Sequence, residues 1–260
     1  MIEELTGFDF PVAVTSSHED VARGIAERTQ RARTWMSDLF GLEPAIRVEV
    51  LGAEDWKDRA EIQVYGLPHI NDAGTMYLAA TDSPLFDDAV ALTLEHLSQD
   101  GRQNFEAVYG EPPSMRGFRD LLCLHELAHT YHSQAGFLIE PLWLMEFFCN
   151  ITLQGFLAET EPATLPQLET WPIAADQIPP SRQGVAGLDL MTPEDPPAYV
   201  WYELRLQVMA IDTWQAGGRR ALRELYDVCL KAGKEDRPVA LDELPREVAA
   251  VVADWPNAGR

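Results

Sequence analysis

The chain has 260 residues, 46% of them hydrophobic, with 42 acidic against 20 basic side chains and a formal net charge of −22. That is enough apolar material for a substantial core, in one large domain or in two lobes. The negative charge argues against nucleic acid or an anionic membrane as partner, since both need a positive surface, and it suits cationic or neutral substrates or simply serves solubility.

The three cysteines, Cys123, Cys149 and Cys229, are an odd number without a C-x-x-C pair. They argue against a disulfide scaffold or a Cys-rich metal site, and Cys123 and Cys149 read as small core residues. The opening segment MIEELTGFDF lacks the basic and apolar regions of a signal peptide, and no run of 18 apolar residues follows, so a cytoplasmic location is expected.

In chain order, a short apolar segment, Phe8 to Val14, comes first. Ser16 and Ser17 ahead of His18, Glu19 and Asp20 suggest a capped helix start. The helix is predicted over His18 to Phe40, with Gly41 as its stop. Ala45 to Leu51 alternates Ile46, Val48 and Val50 with Arg47 and Glu49 and reads as a half-buried strand; Ala60 to Tyr65 repeats the pattern with Ile62 and Val64. Asn71 to Gly74 is turn chemistry, and Thr75 to Ala80 reads as a third strand. Ser83-Pro84 opens a helix that ends near Ser98, before Gly101. Glu159 to Pro197 is rich in Pro and Gly and reads as one long loop, of the kind that often carries function. Helices are predicted again over about Ala198–Gln215, Arg219–Ala232 and Glu243–Ala253.

Between these lies the stretch with chemistry in it, FRDLLCLHELAHTYHSQAGFLIEPLWLMEFFCN, from Phe118 to Asn150. It contains H-E-x-x-H at His125, Glu126 and His129. Residues four apart share a helix face, so two imidazoles can address one metal ion, with Glu126 beside them to polarise a water. A hydrolytic zinc site takes three protein ligands and keeps one position open, so a third ligand has to come from elsewhere. Gly136 is a plausible end for this helix, and Pro141 suits the start of a second one running to about Ala158. Glu146 falls in that helix's second turn and is the candidate third ligand.

H-E-x-x-H followed by Trp143-Leu144-Met145-Glu146-Phe147-Phe148 resembles the gluzincin zinc metallopeptidases, thermolysin-like and aminopeptidase-like alike. In that clan the motif is followed by a Glu ligand on the next helix, which the clan's aminopeptidases often carry within W-L-x-E-G-F. The resemblance implies His125, His129 and Glu146 as zinc ligands and Glu126 as general base. The sixteen residues between His129 and Glu146 are a few fewer than usual, Phe147 stands where the clan has Gly, and no G-x-M-E-N exopeptidase motif lies upstream. Exo- and endopeptidase action therefore both stay open. The implied fold is α+β and zincin-like: a small mixed sheet with helices in residues 1–110, a mainly helical lobe over 111–260 carrying the zinc site, and a cleft between them. In such enzymes the strand nearest the metal binds an extended peptide, and Thr75 to Ala80 is the nearest candidate. The implied reaction is hydrolysis of a peptide or small amide, in which Glu126 takes the proton of a zinc-acidified water and hands it to the leaving amine.

The resemblance also points to a tyrosine on a downstream helix as oxyanion donor. Tyr202, followed by Glu203, matches its placement; Tyr199, three residues earlier, is the alternative. Asn150, four after Glu146, could orient a ligand imidazole. His132, three after His129, reads as a partly exposed helix-end residue or else a fourth ligand, and His69 as a loop residue that could line the cleft. The rival to an enzyme is a non-catalytic zinc protein that uses the same fold as a binding module. The composition does not indicate an oligomeric state.

Overall fold

The computed structural model describes residues 1–176, 178, 196–253 and 255. It is an α+β protein in two compact units, one formed by residues 1–90 and 114–135 and the other by 91–113 and 136–260. The division differs from the one expected at residue 110: the H-E-x-x-H helix belongs to the unit with the sheet, and the segment just before it belongs to the helical unit.

The first unit holds a mixed sheet of β1 (Ile2–Leu5), β2 (Val12–Thr15), β3 (Arg47–Leu51), β4 (His69–Ile70) and β5 (Thr75–Ala79), in the order β1-β2-β3-β5-β4. The three inner strands are parallel and the two edges antiparallel. Parallel strands are covered on both faces and so bury both sets of side chains. Val48, Val50, Met76 and Leu78 fill one face; Leu51, Tyr77 and Ala79 pack on the other with Trp56 of α2 (Ala53–Arg59).

This double burial is why β3 is not the half-exposed strand its alternation suggests. Glu49 is only 4% exposed. It accepts from Arg59 Nε at 2.7 Å and from Arg47 Nε at 2.9 Å, while Arg47 also reaches Glu4 at 2.6 Å. Burial by itself would raise the Glu49 carboxyl, but the two guanidinium groups outweigh it and hold the group below its usual range. A depressed carboxyl stabilises the fold above its unfolded pKa, and that contribution disappears as pH falls through the folded value. Glu49→Gln should therefore cost about 1–3 kcal/mol at neutral pH. The gap from wild type should narrow below about pH 4, which urea unfolding at both pH values measures. An equal gap at both would remove the ionised carboxylate as its cause.

The strand expected over Ala60 to Tyr65 is absent. Its alternating residues Ile62 and Val64 are 36% exposed, and the backbone of Ile62 is engaged by side chains instead of a ladder. Trp56 Nε1 donates to its carbonyl at 2.8 Å and its N–H donates to His69 Nε2 at 3.2 Å. β5 lies inside the sheet, between β3 and β4, so the exposed edge on that side is the two-residue β4.

α1 (Glu19–Phe40) connects the parallel strands β2 and β3. Its N-cap is His18 with no side-chain cap bond; Ser16 bonds instead to the Met1 carbonyl and Glu3. Gly41 ends the helix as expected, with φ 74° and its N–H on the Ser37 carbonyl.

α5 (Arg116–Ser133) carries the H-E-x-x-H motif and packs against α1, β4 and β5. It is pinned at both ends. Arg119, buried near its start, pairs with Asp82 at 3.1 Å and Asp120 at 2.9 Å. At the other end Tyr131 donates to the Arg33 carbonyl and meets the Ser37 hydroxyl, both at 2.9 Å, and Gln134 bonds the N–H and the carbonyl of Ala45. The helix stops at Ser133 and Gln134 is still right-handed; Gly136 turns left-handed, at φ 78°, two residues beyond.

α3 (Pro84–His96) crosses from the first unit into the second. The second unit adds α4 (Gln99–Tyr109), α6 (Leu142–Thr160), α7 (Leu165–Ala175), α8 (Pro196–Lys234) and α9 (Arg246–Ala253). α6 is buried along nearly its whole length, as a helix apolar on all sides must be. α8 has non-helical geometry at Gly218, so the two helices predicted on either side of it are present. Gly155 of α6 faces Trp214 of α8 so closely that a Cβ there would lie 2.5 Å from the indole.

Two segments differ from expectation. α3 ends at His96, before Gly101 as expected, but a further, unpredicted helix, α4, follows at once and holds Gly101 in its first turn, with its N–H capped by Ser98. The predicted loop from Glu159 to Pro197 contains a 3-10 turn, Pro162–Thr164, and then α7; residues 177 and 179–195 lie outside the described ones. Pro162 and Pro166 occupy first-turn positions, which tolerate proline, while Pro172 sits inside the helix. There the Tyr109 hydroxyl donates to the Gln167 carbonyl at 2.8 Å and accepts from Trp171 N–H at 3.2 Å. It stands in for the helical bond between those two residues, an insertion of the kind that lets a helix bend.

Candidate metal centre

On α5 the candidate residues form an imidazole cluster. His125 and His129 lie one turn apart and their Nε2 atoms are 3.2 Å from each other. Two nitrogens bound to one tetrahedral zinc at about 2.0–2.1 Å are roughly 3.3 Å apart, so the pair already has the spacing of two ligands. Glu126 follows one position round the helix and is buried. His132 is not a partly exposed helix-end residue: it is 3% exposed, and its Nε2 lies 3.2 Å from His129 Nδ1.

His69 lies on the same unit but belongs to its core. Its Nε2 accepts the Ile62 N–H, its Nδ1 meets the Leu67 carbonyl at 3.1 Å, and its ring stacks on Tyr77 with 4.9 Å between centroids. Both nitrogens are engaged in local structure, which accounts for the residue without a cleft.

The helical unit, taken by itself, holds a pair of close carboxylates. On apolar α6, Glu146, Asn150 and Gln154 recur every four residues and form a buried polar stripe. α8 answers with Glu203 and Gln207. Carboxylate oxygens of Glu146 and Glu203 lie within 4.8 Å of each other. Asn150 Nδ2 donates to Glu203 Oε2 at 3.3 Å, Gln207 donates to Gln154 at 2.9 Å, and Gln154 donates to Glu169 at 2.6 Å. Two carboxylates this close, with Glu146 only 5% exposed, repel when both are ionised, and a cation relieves that repulsion.

Tyr202, the expected oxyanion donor, is 0% exposed; its ring stacks on Trp255 at 6.0 Å and meets Trp201 edge-on at 5.0 Å. Tyr199 is half-buried and lies four residues before Glu203, so it shares that residue's helix face. Glu203 is the functional candidate that motif reasoning passed over. The signal for it was its helical spacing from Tyr199, since nothing in the motif marks it as more than a neighbour of Tyr202.

The three cysteines are buried, and burial pushes the Cys229 thiol up to about 12, which leaves it inert as a nucleophile. No helix among the described residues is long and apolar enough to cross a membrane. Comparisons with family models, with curated proteins and with solved structures find no match to this chain.

Proposed function

We propose that the chain is a zinc-dependent hydrolase of the gluzincin type, on a zincin-like fold, with a peptide bond as its substrate. His125, His129 and Glu146 are the metal ligands in this reading and Glu126 is the general base. The observation that carries it is the imidazole pair, with two Nε2 atoms 3.2 Å apart on a helix pinned at both ends. The donor set fits the ion: two imidazole nitrogens and one carboxylate are the ligands of a catalytic zinc with an open fourth position.

Bound there, the metal supplies Lewis acidity toward a water and a carbonyl oxygen. The chain's own groups do the rest. Glu126 accepts the water's proton and returns it to the departing amine. Tyr199 is the better placed of the two tyrosines to donate a hydrogen bond to the developing oxyanion, since Tyr202 is enclosed by indole rings. Tyr199→Phe should lower kcat by roughly 10²–10³, the cost of one oxyanion donor, while Tyr202→Phe should act on stability more than on kcat. Steady-state kinetics of the two variants decides between them, and neutrality of both would reject a tyrosine donor.

The test of the whole reading is a digest of a proteome-derived peptide library by protein carrying about one zinc per chain. Cleavage that disappears in Glu126→Gln supports it. A protein that takes up zinc and binds peptides without cleaving any is a binding module instead.

A further inference from the structure

We propose that His132 is a positioning residue for the metal ligand His129, fixing which of its two nitrogens offers its lone pair to the metal. The inference rests on the metal-site reading above. In a neutral imidazole one nitrogen carries the proton and the other the lone pair, and a partner bonded to one nitrogen selects the tautomer. His129 Nε2 faces His125 Nε2 at 3.2 Å, so it is the nitrogen that has to offer its lone pair. The proton then belongs on Nδ1, which lies 3.2 Å from His132 Nε2. His132 Nε2 is then the acceptor of that bond.

The acceptor is built into the same helix at i+3, and its ring is buried with its plane at 78° to that of His129. An edge-on approach of this kind aims one ring's N–H at the other ring's nitrogen. A carboxylate or carbonyl usually fills this second role in metal sites, and losing such a partner weakens metal affinity by about 10–100-fold. Here an imidazole fills it, which adds no charge to a chain that already carries −22.

The experiment has two parts. Long-range proton–nitrogen spectra of metal-free, 15N-histidine-labelled wild-type protein near pH 8 report the tautomer of His129. The expected result is a proton on Nδ1; a proton on Nε2 overturns the proposal, and this part needs neither a variant nor a metal. Zinc affinity by chelator competition is then compared for wild type, His132→Phe and His132→Gln. His132→Phe should bind zinc about 10–100-fold more weakly with its circular dichroism unchanged, and His132→Gln, which restores an acceptor, should recover most of the loss. Wild-type affinity in His132→Phe, or a glutamine variant as weak as the phenylalanine one, overturns it. A wild-type protein that takes up no zinc defeats the metal-site reading itself, and the tautomer spectrum still decides what His132 does to His129.

Discussion

Glu126→Gln should keep its metal and lose its hydrolysis. The substitution preserves the size of a side chain that is buried in the middle of α5, and the amide can still accept a hydrogen bond but cannot take up a proton. General acid–base catalysis contributes about 10²–10⁴ to rate, and Glu126 acts twice in the proposed cycle, first on the water and then on the leaving amine. The expected loss in kcat/KM is therefore at the upper end of that range, with zinc stoichiometry and thermal midpoint unchanged. Loss of zinc in Glu126→Gln would make Glu126 a ligand and undo the assignment of roles. Retained turnover would move the base elsewhere, with Glu203 the next candidate because of its place beside Glu146.

The second large effect concerns the ligands. His125→Ala, His129→Ala and Glu146→Ala should each fail to retain zinc through purification. A four-ligand structural zinc site is worth roughly 10–16 kcal/mol, or about 2.5–4 per ligand, so each truncation should weaken affinity by roughly 10²-fold or more. The side effects should differ. His125 and His129 sit on a helix anchored by Arg119, Tyr131 and Gln134, so removing an imidazole should leave the metal-free fold close to intact. Glu146→Ala removes one of two close carboxylates inside a helix pack, and the relief of repulsion should make the metal-free protein no less stable than wild type. Metal analysis alongside urea unfolding of the metal-free proteins reads both. Full zinc occupancy in Glu146→Ala would show that the third ligand is another residue.

How much of this was legible in the chain depended on whether the signal was local. The helix start near His18, its end at Gly41, the strands at β3 and β5, the two motif helices and the break near Gly218 all follow from periodicity and from glycine or proline punctuation, which act over a few residues. H-E-x-x-H is local in the same sense: one helical turn by itself places His125 over His129.

What differed did so through side chains that a segment's own periodicity does not show. Ile62 and Val64 alternate as a strand does, yet Trp56 and His69 take the backbone of Ile62, so the segment forms no ladder. Three prolines between 162 and 172 suggest a loop, but two sit at first-turn positions and the third is accommodated by the hydroxyl of Tyr109, more than fifty residues away. Tyr199 and Tyr202 are three apart and so lie only about 60° apart around the helix, and only packing against Trp201 and Trp255 says which one is enclosed.

The sequence by itself determined the imidazole pair, its neighbouring carboxylate and the helices that carry them, because helical spacing is a property of a few consecutive residues. Only the tertiary structure decided that Glu49 is buried between two arginines, that Glu203 stands beside Glu146 and that His69 is core. Each of those depends on which side chain arrives from another element, and no short-range pattern encodes that.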